Sequence, residues 1–163
     1  MSIPFQIIDD FLPQEEFEIV SNIVNDESFY WQYIPSVASN TANVDDFYFV
    51  HMIYDNEPLS EHYNTISNIF KDRLDIKALK RIKANLYTRT ETLVNHAIHR
   101  DYEYCHKGAI YYINSNDGFT VLEDGTKVES KANRVLLFDP CSIHNSTSCS
   151  DTQARLNINF NYF

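Results

Sequence analysis

Apolar positions along this chain follow two patterns, a helical one confined to the first 74 residues and an alternating one that dominates afterwards. Residues 3–9 read as a short opening strand. Asp9 and Asp10 then precede Phe11-Leu12-Pro13, and Gln14-Glu15-Glu16 starts a helix whose acidic first turn suits the helix dipole. Phe17, Val20, Ile23 and Val24 recur at helical spacing and predict a buried stripe. The aromatic, β-branched runs at 29–34 and 47–54 predict strands. Between them, 35–46 is rich in Ser, Asn, Thr and Asp and reads as a long loop able to lie over a site. Pro58 introduces a second helix reaching to about Leu74, with Tyr63, Ile66, Ile69, Phe70 and Leu74 on one face.

From Leu79 onward the pattern is that of strands. Residues 81–87 alternate, with Ile82, Ala84 and Leu86 on one face and Asn85 and Tyr87 on the other. A polar connection over 88–95 leads to an extended stretch around His99, and 108–113 is apolar enough for a buried strand. Asn116-Asp117-Gly118 and Asp124-Gly125 carry hairpin-turn chemistry, the second joining arms at 119–123 and 126–129. Residues 134–138 form a buried strand ended by Asp139-Pro140, and 156–163 alternate to the C-terminus. Two helices followed by about eight strands predict a mainly β protein with flanking helices, packed on an antiparallel barrel or jelly roll. Strand–helix–strand alternation is missing, which argues against a parallel doubly wound sheet. The length fits one domain over residues 1–163.

Composition sharpens this reading. Eleven Tyr, eleven Phe and one Trp against three Gly favour β structure. The net charge of −10 disfavours a nucleic-acid partner. Cys105, Cys141 and Cys149 make an odd set without close metal spacing, as in a reduced cytosolic protein. No leader pattern opens the chain and no run approaches the roughly 20 apolar residues of a membrane span. A soluble cytoplasmic protein is the expectation.

The candidate chemistry centres on His96-Ala-Ile-His-Arg-Asp101. In an extended strand His99 and Asp101 point one way and Arg100 the other, so one imidazole and one carboxylate can grip a single ion. His144, far downstream, completes two histidines and a carboxylate, the usual holder of oxygen-activating non-haem Fe(II). Six histidines allow many such triples, so purely structural histidines stay open as the alternative. His96 has the wrong parity to join His99 on one strand face, and His51 and His62 read as surface or satisfied structural residues. Downstream, Arg155, Asn157 and Asn159 share one strand face, with Leu156, Ile158 and Phe160 on the other. A guanidinium aimed into a barrel needs a buried anion to offset its desolvation, and a carboxylate fits its planar fork. The alternative is a surface strand on which Arg155 pairs with one of the many acids. Tyr30, Trp31, Tyr33, Tyr102 and Tyr104 are candidates for a substrate mouth, with core packing the commoner role for each.

The order His99-x-Asp101, His144, Arg155 resembles the Fe(II)- and 2-oxoglutarate-dependent oxygenase superfamily. The resemblance covers essentially the whole chain, including the opening Ile-Asp-Asp-Phe-Leu-Pro, and 124–139 is similar to small phage and bacterial members. Asn85-x-Tyr87 and Arg155-x-Asn157 resemble the cosubstrate positions of the AlkB-type branch. The resemblance implies a double-stranded β-helix in which His99, Asp101 and His144 hold Fe(II). Arg155 would then bind the distal carboxylate of the cosubstrate 2-oxoglutarate, aided by Tyr87, Asn85 and Asn157. It implies a dioxygenase coupling oxidative decarboxylation of 2-oxoglutarate to succinate with hydroxylation of an unidentified amino acid, peptide or protein side chain, or small molecule, with ascorbate as an accessory reductant. Two alternatives come with it, a non-catalytic jelly-roll binding protein and an AlkB-type nucleic-acid demethylase. The acidic charge and Asn161, which stands where AlkB-type enzymes carry a second arginine, weigh against the latter. Collagen-type prolyl hydroxylases carry a lysine where Arg155 stands.

Overall fold

The computed structural model describes residues 5–37 and 46–163. Within them the chain runs β1 (Gln6–Ile8), α1 (Gln14–Asn25), β2 (Gln32–Ile34), β3 (Tyr48–Asp55), α2 (Tyr63–Phe70), β4 (Leu79–Thr88) and β5 (Lys107–Tyr112). It continues through β6 (Phe119–Val121), β7 (Lys127–Glu129), β8 (Arg134–Phe138), β9 (Asn145–Ser146) and β10 (Ala154–Tyr162). One sheet has the order β1-β8-β5-β10-β4-β3-β2 and the other β7-β6-β9. Isolated bridges Asn95↔Thr147 and His99↔His144 lay the 95–99 stretch alongside β9. Four strands, β8-β5-β10-β4, thus oppose four, β7-β6-β9 and 95–99, and the result is the double-stranded β-helix that the sequence led us to expect.

Alternation along β10 separates the two faces of the larger sheet. Leu156, Ile158 and Phe160 join Ile82, Ala84, Tyr111 and Val135 in a core that the helices cover with Val20, Val24, Ile66 and Phe70. The Phe70 ring sits 4.6 Å from that of Phe160 and 4.9 Å, edge-on, from that of Tyr111. The other face lines the barrel interior, where Ile110, Tyr112, Val128, Leu136 and Phe138 pack into a second apolar cluster. The N-terminal segment is pinned by Asn133, at φ 60°, whose amide accepts from Leu12 N, donates to Leu12 O and accepts from the Tyr111 hydroxyl.

Three local expectations change. The second helix starts at Tyr63 rather than after Pro58, because Pro58 still bridges Tyr54 and Leu59 N bonds Ile53 O, extending β3's edge. Its α-helical part ends at Phe70, although Leu74 N still bonds Phe70 O and Leu74 is buried. Asn116-Asp117-Gly118 forms no hairpin, since β5 pairs with β8 and β10 and the turn instead carries the chain to the smaller sheet. Of the expected 35–46 loop, residues 38–45 lie outside the described residues. All three cysteines are free. Among the described residues no helix is long and apolar enough to cross a membrane.

Candidate metal and cosubstrate site

Backbone pairing brings the two histidines together. His99 N donates to His144 O and His144 N to His99 O, each at 2.9 Å, so the rings lie side by side with centroids 4.6 Å apart. His99 Nδ1 lies 3.1 Å from the Ala97 carbonyl and His144 Nδ1 3.0 Å from the Ser142 carbonyl. A carbonyl can only accept, so both Nδ1 atoms carry the proton and both Nε2 lone pairs are free. Each Nε2 stands 3.9 Å from Asp101 Oδ1, and the three donor atoms lie within 4.8 Å of one another. His144 Nε2 is buried without a partner. Burial, reinforced by His144, holds His99 below its usual pKa and keeps the ring neutral. A neutral, convergent His–Asp–His set with an orphaned donor fits a divalent ion.

The carboxylate is held from behind. Burial opposes its ionisation, but the Arg81 charge, His144 and the bond from Asn161 outweigh it and keep Asp101 ionised. Asn161 Nδ2 donates to Asp101 Oδ2 at 2.8 Å, and Arg81 Nη2 stands 3.3 Å from Oδ1. Arg81 Nε donates to Asn161 Oδ1 at 3.1 Å, while His106 Nε2 lies 3.0 Å from Asn161 Nδ2. Asn161 is fully buried. The side chain that marked a departure from AlkB-type enzymes therefore orients a candidate metal ligand.

Further along β10, Arg155 is 0% exposed, which excludes the surface-strand alternative. Its Nε donates to Ser130 Oγ at 2.7 Å, Nη2 to Thr120 Oγ1 at 3.1 Å and Nη1 to Thr147 O at 3.3 Å. The guanidinium carbon lies 5.3 Å from the Tyr87 ring centroid and 5.7 Å from that of Tyr112. All of these partners are neutral, and among the described residues no acid pairs with it. A Cβ at Gly118 would stand 2.6 Å from Arg155 Cδ, so the chain can cross the stem only as glycine. Tyr87 faces Arg155 in register, and Asn85 faces Asn157, donating to its Oδ1 at 2.8 Å. The Asn85 Oδ1 atom is buried and unpartnered. A buried guanidinium without an acidic partner fits a carboxylate-bearing ligand such as 2-oxoglutarate.

One residue set aside on strand parity belongs here. Between its bridges the 95–99 stretch is not a regular strand, so His96 also turns inward. Its Nδ1 lies 2.8 Å from Ser146 Oγ, and its ring stacks on Tyr87 at 5.0 Å. Burial, then the charges of Arg155 and His99, push its pKa down to about 4. Between pH 6.5 and 4 the unfolded chain binds a proton that the folded one refuses. Unfolding free energy therefore falls as pH drops through that window, by up to about 3 kcal/mol for this group. Urea denaturation of metal-free protein should show that loss, and His96→Gln should flatten it; an unchanged slope would remove His96 as its source. His51, by contrast, is a satisfied structural histidine, bonded to Tyr30 O and Ser60 Oγ at 2.8 Å each.

The mouth aromatics divide. Tyr102 lies against Arg81, 5.2 Å from its guanidinium, and stacks on Tyr104. Trp31 packs against the helix-side core, and Tyr33 pairs with Phe49 on the face away from the barrel interior. Tyr30 is 61% exposed and tilts against His51, on that same outer side.

No protein-family model matches the chain, and a search of curated proteins finds no match. Solved structures do match. The 2OG complex of the viral collagen prolyl hydroxylase vCPH from Paramecium Bursaria Chlorella virus-1 aligns with TM-score 0.64 and 13% identity, over 96% of this chain and 94% of that one. A Trichoplax adhaerens prolyl hydroxylase, in complex with a hypoxia inducible factor oxygen degradation domain peptide fragment, gives 0.68 and 16%, over 98% and 83%. A 2OG-Fe(II) oxygenase family oxidoreductase from Burkholderia pseudomallei gives 0.69 and 10%, over 97% and 84%. At these identities the likeness is one of architecture: the chain has the fold of the 2-oxoglutarate–Fe(II) oxygenases.

Proposed function

We propose that this protein is an Fe(II)- and 2-oxoglutarate-dependent oxygenase, a single cytoplasmic domain over residues 1–163 that hydroxylates an amino acid, a peptide or protein side chain, or another small molecule. The observation that carries this reading is the pairing of two features in one chamber. A convergent His99–Asp101–His144 set stands beside Asn161 of β10, and the same strand face ends in a fully buried guanidinium without an acidic partner. A jelly-roll binder for neutral ligands has no use for either.

In this reading His99 and His144 present their Nε2 lone pairs and Asp101 its charge to Fe(II). Arg81 and Asn161 hold the carboxylate at a fixed angle. Arg155 takes the distal carboxylate of 2-oxoglutarate, with Tyr87, Asn85 and Asn157 aligning the rest. Tyr48, Tyr87 and Tyr112 wall the chamber and limit water. Bound there, iron and 2-oxoglutarate supply the oxidising chemistry, in which O2 is consumed, 2-oxoglutarate becomes succinate and CO2, and a substrate C–H becomes C–OH. Ascorbate serves as the accessory reductant.

The test begins without oxygen. Fe(II) and 2-oxoglutarate together should give a visible charge-transfer band that neither gives alone, and air with ascorbate should then yield succinate. His99→Ala should lack both signals. No band in the wild type, or ligand binding that His99→Ala leaves intact, would refute the proposal.

A further inference from the structure

β4 turns Arg81, Lys83, Asn85 and Tyr87 toward the barrel interior, and in register opposite them stand Asn161, Asn159, Asn157 and Arg155 of β10. The cosubstrate reading uses the two rungs at the Arg155 end. Of the two rungs at the Asp101 end, Asn161 and Arg81 are committed to the Asp101 carboxylate, and the rung of Asn159 with Lys83 keeps unused binding capacity. Among the described residues, Lys83 Nζ has one side-chain hydrogen bond, a long 3.4 Å contact to the Tyr48 hydroxyl, and it lies 5.5 Å from that ring's centroid. No acid forms an ion pair with it among the described residues. Asn159 Oδ1 is buried without a hydrogen-bond partner, whereas Arg81 Nη2 has the Asp101 carboxylate as its ion-pair partner.

Buried polar atoms without a hydrogen-bond partner are rare in folded proteins. Among the described residues there are five, and three of them, on Asn85, Asn159 and His144, belong to this one chamber; a fourth, on Arg81, has only its ion pair with Asp101. Chamber polarity is lopsided as well. Arg81, Lys83 and Arg155 are cations, and Asp101 is the acid whose charge reaches Lys83. A ferrous ion and a dianionic cosubstrate would cancel each other, leaving the cations in excess. Burial and the Arg81 charge already push the Lys83 pKa down to about 8, the mark of an ammonium short of counter-charge.

Resting on the oxygenase reading above, we infer that the primary substrate carries an oxyanion, a carboxylate or a phosphate monoester, which Lys83 binds beside the metal, with Asn159 Oδ1 free to accept from a neighbouring N–H or O–H of the same substrate. Binding there fixes a C–H bond near the anionic group over the iron. It also explains a lysine on an inward-facing rung, where an apolar residue would pack without desolvation cost.

Matched probe pairs test this: phenylacetate against phenylacetamide, and phenyl phosphate against phenol. Each is titrated into oxygen-free protein loaded with Fe(II) and 2-oxoglutarate, with the charge-transfer band as the readout. One of the anions should perturb the band at least about tenfold more tightly than its neutral partner, as a charge-assisted hydrogen bond provides. Which anion responds separates carboxylate from phosphate. Lys83→Met keeps the stem against Tyr48 and should abolish that preference while leaving 2-oxoglutarate affinity unchanged. Lys83→Arg should retain the preference, which controls for a folding defect. Neutral probes matching the anions, or neither anion responding while the band is intact, overturns the inference. So does Lys83→Met weakening 2-oxoglutarate itself, which would put Lys83 in the cosubstrate site. Absence of the band in wild type instead brings down the oxygenase reading beneath it.

Discussion

Asp101→Ala is expected to lower Fe(II) or Mn(II) affinity by more than about a hundredfold, since losing even a supporting hydrogen bond around a metal ligand costs 10–100-fold. Calorimetric titration under argon would measure it. The same substitution should destabilise the metal-free protein by about 3 kcal/mol, because Arg81 and Asn161 lose the carboxylate they enclose. His144→Ala separates these effects. Its Nε2 has no protein partner, so removal should abolish metal binding while costing the fold only the packing of the ring and the Nδ1 bond to the Ser142 carbonyl. Equal stability losses in the two variants would mean that Asp101 is not the hub described here, and retained metal affinity in Asp101→Ala would dismiss the site.

Arg155→Met should be the most informative change at the other end. Truncating one partner of a buried, hydrogen-bonded charge pair costs about 2–5 kcal/mol, so 2-oxoglutarate affinity should fall by roughly 30- to 5,000-fold. Stability without cosubstrate should shift far less. The variant removes the Arg155 bonds to Ser130 Oγ, Thr120 Oγ1 and Thr147 O, of which Thr120 Oγ1 keeps the one from the Tyr112 hydroxyl, but it also removes a charge buried without a counterion, and the two effects oppose. Urea denaturation with and without 2-oxoglutarate reads both quantities. At a hundredfold excess over Kd, wild type should gain about 2.7 kcal/mol, and Arg155→Met essentially nothing. A variant still stabilised by 2-oxoglutarate would place the distal carboxylate elsewhere.

What the sequence revealed depended on how regular the local backbone is. β10 alternates without interruption across the site, so the inward set from Arg155 to Asn159 and the outward set from Leu156 to Phe160 were legible in strand parity alone. β4 obeys the same rule, yet Arg81 and Lys83 escaped notice. Charged residues on a strand read as solvent-facing until its partner strand and opposite sheet are known, and nothing local says that both are buried. His96 stays outside the His99–Asp101–His144 set, as parity had it, but its inward turn was not legible, for the converse reason. Parity holds only where a ladder is continuous, and 95–99 is held by bridges at Asn95 and His99 with irregular backbone between. Asn161 carried no signal of its own, because an asparagine gains its role from an Asp101 sixty residues away in sequence.

The two faces of β10 also set how this protein can tolerate change over time. Point substitutions act on one face or the other, but a single-residue insertion or deletion inside Ala154–Tyr162 exchanges both faces beyond it. Placed early in the strand, it would turn the guanidinium toward the helices and leucine and phenylalanine toward His99, Asp101 and His144. Strand length here is therefore frozen even though individual side chains are not. Divergence in size has to accumulate in connections such as 150–153, where the backbone leaves the ladder before β10 begins.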